Sequence, residues 1–145
     1  MPALWRAAPS AWTLLWGVLI AAPALLLRAW AFAHLGGQGR TRDPAPPTHR
    51  VRSGPYARLH HPVYLANVLL AAGMLAAAGL PRSWALALLV GVLGFYGLLA
   101  WRESAQLPGL PVAAPRVTWA RVARWERSTW ITTALWFTLL GLRCL

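Results

Sequence analysis

Four stretches without a single charged residue, Ala7–Leu27, His61–Pro81, Ser83–Trp101 and Ser128–Leu142, constrain the fold of this chain more than any other feature. Their apolar residues come in blocks, not in the alternating or one-face patterns of an element that meets water. A helix needs about 20 apolar residues to cross the hydrocarbon core of a bilayer, within a range of roughly 17–25. The first three stretches reach that length; the fourth, at fifteen residues, is short, and either spans poorly, lies in the interface or enters as a buried re-entrant helix. Only 12% of the 145 residues are charged, where a soluble domain carries about a quarter. The expected fold is therefore all-α: one integral membrane bundle over residues 1–145, with about four transmembrane helices.

Tryptophan and arginine sharpen this into a topology. Trp5, Trp12, Trp30, Trp84, Trp101, Trp125 and Trp130 fall near the ends of the apolar runs, where amphipathic rings sit at headgroup level. Trp16 and Trp136 fall deeper and read as packing residues. All fourteen basic residues are Arg, and they concentrate in two segments. Leu35–His60 holds Arg40, Arg42, Arg50, Arg52 and Arg58; Arg102–Arg127 holds Arg102, Arg116, Arg121, Arg124 and Arg127. Short basic loops stay on the cytoplasmic side, so both segments are expected there and both termini outside. Arg28 lies near the inner end of the first span and can snorkel to the interface. The net charge of +11 thus reads as membrane topology and attraction to anionic lipid headgroups, not as nucleic-acid binding. Arg without Lys, with abundant Ala, Leu and Pro, points to a GC-rich genome and a bacterial inner membrane.

The first run is longer than a signal-peptide core and is followed by Arg28, so it is read as retained. The lone Cys144 allows no intrachain disulfide and is not placed for prenylation. Pro23 is expected to kink the first span, which neighbouring helices tolerate in lipid. Leu80-Pro81-Arg82 reads as a tight turn joining the second and third spans. Small residues on those spans (Ala72, Gly73, Ala76, Ala77; Ala87, Gly91, Gly94, Gly97) suggest close packing between them. Gly36–Pro47 reads as turn and extended chain, and Leu107–Pro115 as non-helical. Beyond it, Trp119, Val122, Ala123 and Trp125 alternate with Arg121, Arg124 and Arg127, the pattern of a short basic helix lying on the membrane surface.

Chemistry concentrates in Ser53–Asn67. Gly54-Pro55 makes a turn and His61-Pro62 opens the second span, Pro being favoured at the first helical position. His61 is expected to cap that helix, with Tyr64 one turn inside and Asn67 one turn further on the same side. Free amides at this helix start, with Arg52 and Arg58, make a natural anion site. Spacing alone leaves two readings open: interfacial anchors with Asn67 bonding between helices, or a functional cluster, since polar groups inside a span often mark function.

Gly54-Pro55-Tyr56 followed by His61-Pro62-Val63-Tyr64-Leu65 resembles the G-P-Y-x-x-x-R-H-P-x-Y pattern of the isoprenylcysteine carboxyl methyltransferase and phospholipid methyltransferase families. The approach to it, Leu35-Gly36 and then Pro47-x-His49-x-Val51-x-Ser53, is similar to bacterial members of that group. Two spans on, Trp101-Arg102-Glu103-Ser104-Ala105-Gln106-Leu107 stands where those families carry Glu-Glu-x-x-Leu. The resemblance covers residues 34–107. It implies transfer of a methyl group from S-adenosylmethionine to a lipophilic or prenylated acceptor at the membrane surface. It further implies catalytic roles for Arg58, His61 and Tyr64, and cofactor contacts from His61, Pro62, Tyr64, Leu65, Arg102 and Glu103. Gly37-Gln38-Gly39 has the form of a G-x-G cofactor contact, or simply ends a helix.

Three positions depart from the family pattern: His60 replaces the Arg before His-Pro, Ser104 replaces the second Glu, and Leu107–Pro115 replaces an aromatic stretch. These departures point to one alternative, a non-catalytic membrane scaffold or lipid-binding protein; a second is a relative of membrane reductases that use NADPH, which His61-Pro62-Val63-Tyr64 also resembles. No His, Cys and carboxylate cluster has metal-ligand spacing.

Overall fold

A computed structural model describes residues 8–36, 49–106, 109–114 and 116–144. Four helices make up the fold: α1 (Ala11–Leu35), α2 (Pro62–Ala78), α3 (Arg82–Gln106) and α4 (Trp119–Leu142). Two of them, α1 and α3, are long and apolar enough to cross a membrane; α2 is equally apolar but shorter. At a rise of about 1.5 Å per residue its length is still close to the lower limit for a span.

Local chemistry sets the helix ends. Ser10 opens α1 with a capping box: Thr13 N–H donates to Ser10 Oγ at 3.2 Å and Ser10 N–H to Thr13 Oγ1 at 2.8 Å, satisfying amides that would otherwise lack partners. Gly79 closes α2 in the left-handed conformation, and Leu80-Pro81 then turns directly into α3. The basic surface helix and the short fourth run expected as separate features form one continuous helix, α4. No Gly or Pro separates Trp119 from Leu140, so nothing in the backbone interrupts it.

The chain runs up and down. The C-terminus of α1, the N-terminus of α2, the C-terminus of α3 and the N-terminus of α4 share one end. Two contacts fix this arrangement: Val117 N–H donates to Ala33 C=O at 3.1 Å, and at the opposite end Ala8 N–H donates to Gly79 C=O at 3.2 Å. A two-residue strand β1 (Arg50–Val51) pairs in parallel with β2 (Val112–Ala113), and Arg50 N–H donates to Pro111 C=O at 2.8 Å. The described parts of the two arginine-rich segments are thus tied together at one end of the bundle. Arg82 and Arg143 lie at the other.

Packing differs from expectation in an informative way. The small residues of α2 approach α1, not α3. A Cβ added to Gly17 would lie 2.5 Å from the Ala77 Cβ and 2.7 Å from the Gly73 carbonyl oxygen; one added to Gly73 would lie 2.8 Å from the Gly17 carbonyl oxygen. Only glycine allows that backbone contact. On α3, a Cβ added to Gly91, Gly94 or Gly97 would meet nothing within 4 Å. The side of α3 that leans on α2 carries Ala85, Leu89, Val92, Tyr96 and Glu103 instead. Trp16 is 59% exposed, so it faces the surroundings and not the core. Trp136 does pack inward, its indole N–H donating to Met74 C=O at 3.3 Å.

Arg28 also turns inward instead of snorkelling. Its Nε donates to the Glu126 carboxylate at 2.5 Å, another guanidinium N–H donates to the Asn67 amide oxygen, and the group lies 5.2 Å from the Phe32 ring centroid. Glu126 is buried, and a buried carboxylate needs a counter-charge. One cluster thereby joins α1, α2 and α4.

Candidate functional site

The motif-bearing segment enters the arginine-rich end through a short 3-10 turn, Gly54–Ala57. Gly54 adopts φ +59°, and a Cβ there would lie 2.6 Å from the His34 ring. The left-handed conformation favours glycine here, and any side chain would also have to displace the His34 ring. Pro55 is buried behind it, and Leu59 N–H donates to Pro55 C=O at 2.9 Å. This seats Tyr56 against the bundle. Burial, and after it the nearby Glu103 and Tyr64, push the Tyr56 hydroxyl well above the usual tyrosine range, so it stays protonated.

Pro62 occupies the first turn of α2, where its missing N–H leaves no lost bond. His61 takes the capping position, but its side chain makes no capping bond. It reaches across to α3 instead. His61 Nε2 lies 2.8 Å from Ser104 Oγ and His61 Nδ1 lies 3.4 Å from Glu103 Oε2. A carboxylate can only accept. In the neutral ring Nδ1 therefore carries the proton toward Glu103, and Nε2 accepts from the Ser104 hydroxyl. One face of the ring stacks on Tyr64, with centroids 5.4 Å apart and planes 11° from parallel. Tyr64 in turn meets Tyr96 of α3 at 5.5 Å.

These side chains border a cleft of about 50 Å³ lined by Leu35, Tyr56, His60, His61, Val63, Tyr64 and Glu103. It offers one carboxylate, several aromatic faces and a fixed imidazole, a donor set suited to a soft cation bound on ring faces beside an anion. Among the described residues, no three His, Cys, Asp or Glu side chains converge as a metal site.

Of the residues singled out in the sequence, His61, Tyr64 and Glu103 meet at the cleft, and Pro62 lies buried at the start of the same helix. Leu65 is 40% exposed and does not line it. Arg58 and Arg102 are exposed at the same end without lining the cleft. Asn67 belongs to the Arg28–Glu126 cluster. Gly37, Gln38 and Gly39 lie outside the described residues.

Three contributors escape sequence reasoning. Tyr96 stands seven residues before Glu103, two helical turns on the same face, a spacing that could have found it. Tyr56 is visible only as part of the motif. Ser104 reads as a lost acid, yet its hydroxyl holds the imidazole.

No curated protein and no solved structure matches this chain. A family model described as phospholipid methyltransferase matches residues 12–107, about two thirds of the chain, from the first turn of α1 to the end of α3. That span contains His61, Tyr64, Tyr96 and Glu103, and with this match the chain belongs to the phospholipid methyltransferase family.

Proposed function

We propose that this protein transfers a methyl group from S-adenosylmethionine to a lipophilic or prenylated acceptor at the membrane interface, in a bacterial inner membrane with the arginine-rich end in the cytoplasm. The observation that carries this reading is the convergence of His61 and Tyr64 from α2 with Glu103 from α3 at the end of the bundle that also holds both arginine-rich segments.

The residues present fit such a donor. When bound, S-adenosylmethionine supplies an electrophilic methyl on a sulfonium cation. The Glu103 carboxylate among the aromatic side chains lining the cleft favours positive charge. Tyr56, held protonated, donates a hydrogen bond without adding a negative charge. Arg58 and Arg102, exposed at the same end, and the free amides at the start of α2 are the available partners for the donor's carboxylate. Pro62 and Leu65 shape that helix start.

Methyl transfer is an in-line displacement, so holding two partners in register supplies most of the acceleration. His61, held at Nε2 by Ser104, close to Glu103 at Nδ1 and stacked on Tyr64, is built to position. With a carboxylate acceptor no proton needs removal. With an amine acceptor, the Glu103 carboxylate and the His61 imidazole at the cleft are the groups available to take up the departing proton.

Ser104 in place of a second acid favours one alternative, a non-catalytic lipid-binding protein. Incubating membranes that contain the protein with methyl-labelled S-adenosylmethionine decides between them. Label in the lipid extract that disappears in His61→Ala and Glu103→Ala membranes supports transfer; an extract no more labelled than control membranes favours the lipid-binding role.

A further inference from the structure

We infer that the start of α4 and the β1–β2 link form a docking surface for the headgroups of anionic phospholipids beside the cleft. The strands tie Arg50 and Arg52 to the segment that carries Arg116, and α4 continues the patch with Arg121, Arg124 and Arg127. Those three are exposed, on the side of the helix opposite buried Val122 and Glu126.

Two features of this patch work against the fold itself. Arg121, Arg124 and Arg127 follow one another at three-residue spacing, so like charges are neighbours on the helix surface. Arg121 also sits in the first turn of α4, where the helix dipole disfavours cations, and that turn holds no acidic residue. Among the described residues no acid is left over to compensate them. The chain has only three acidic residues; Glu126 is engaged with Arg28 and Glu103 with His61, and Asp43 lies outside the described residues. Local rules broken without internal compensation point to an external partner, and here its charge must be negative.

The surroundings select a lipid. Trp119 and Trp101 are 63% and 71% exposed at this end, as rings are at a bilayer interface, and α3 beside them is long and apolar enough to cross a membrane. A row of arginines level with such rings meets the phosphate plane of a leaflet. The inference rests on the membrane placement proposed above but not on methyl transfer.

The test is fluorescence quenching of the full-length protein reconstituted into bilayers of brominated phosphatidylcholine mixed with brominated or plain phosphatidylglycerol. Tryptophan quenching should show preference for the anionic lipid, falling as salt rises. The triple variant Arg121→Gln/Arg124→Gln/Arg127→Gln should lower that preference at least about fivefold, the effect of one fully engaged arginine, and up to on the order of a hundredfold if all three engage at about 1 kcal/mol each. Arg82→Gln/Arg143→Gln, at the opposite end, should leave it unchanged. Since the triple change relieves repulsion, it should not reduce thermal stability. Should it fail to fold, the wild-type preference and its salt dependence still decide. Equal quenching by both lipids, a preference untouched by the triple variant, or one lost equally in the control overturns the headgroup surface. Quenching by neither lipid overturns the membrane placement and the surface with it.

Discussion

Removing Glu126 tests the internal architecture most sharply. Its side chain is 3% exposed, and its partner Arg28 is 17% exposed. Glu126→Ala leaves the guanidinium without its carboxylate in a low-dielectric interior, and breaking a buried pair from one side costs about 3–5 kcal/mol. Arg28→Ala should cost a similar amount, because it strands the carboxylate and also removes the contact over Phe32. The double variant Arg28→Met/Glu126→Leu removes both charges and refills their volume, which by itself is often neutral. It still orphans the Asn67 amide, bonded to Arg28 in the native fold, at about 1–3 kcal/mol. The double variant should therefore be more stable than either single one. Detergent-solubilised protein titrated with sodium dodecyl sulfate and followed by far-ultraviolet circular dichroism measures all three. A Glu126→Ala loss below about 1 kcal/mol, or a double-variant loss equal to the two single losses added together, refutes a paired, buried charge.

Other outcomes follow from the same geometry. Gly73→Val should unfold or strongly destabilise the bundle, since a side chain there meets the Gly17 backbone, whereas Gly94→Ala on the open side of α3 should be neutral within about 0.5 kcal/mol; thermal melts of the two variants check the contrast. Ser104→Ala should weaken S-adenosylmethionine binding by a few-fold through loss of the hydroxyl on His61 Nε2, and Ser104→Thr should restore it; titration of the purified variants reads this. Tyr56 supplies a pH test. Its hydroxyl titrates higher in the fold than its ordinary 10.0, so its contribution is fully present below pH about 10 and is lost as pH rises above that value. Tyr56→Phe should flatten the alkaline fall in stability; an unchanged alkaline slope would contradict a buried, protonated Tyr56.

How much of this is legible in the sequence follows from the range of each interaction. Long uncharged runs announce helices because a span must be apolar along its length, and α1, α2 and α3 follow from that. The sequence breaks the last helix at Arg127 because charge density changes there, while the backbone continues. His61, Tyr64 and Glu103 can be singled out by motif, but the bond from His61 to Ser104 depends on the antiparallel register of α2 and α3, which spacing does not encode. The Arg28–Glu126 pair joins residues 98 positions apart, and no local pattern links them. Glu126 stands out only by rarity, as one of three acids. The glycines of α3 mislead for a related reason: small residues permit close approach but do not say which neighbour approaches.

The cofactor site proposed at His61, Tyr64 and Glu103 is tested most directly by calorimetric titration of the detergent-purified protein with S-adenosylmethionine, with NADPH titrated separately. Saturable binding of S-adenosylmethionine that is lost in His61→Ala and in Glu103→Ala, with no binding of NADPH, is the expected result. Absence of S-adenosylmethionine binding, or binding that both variants retain at full strength, would contradict the assignment.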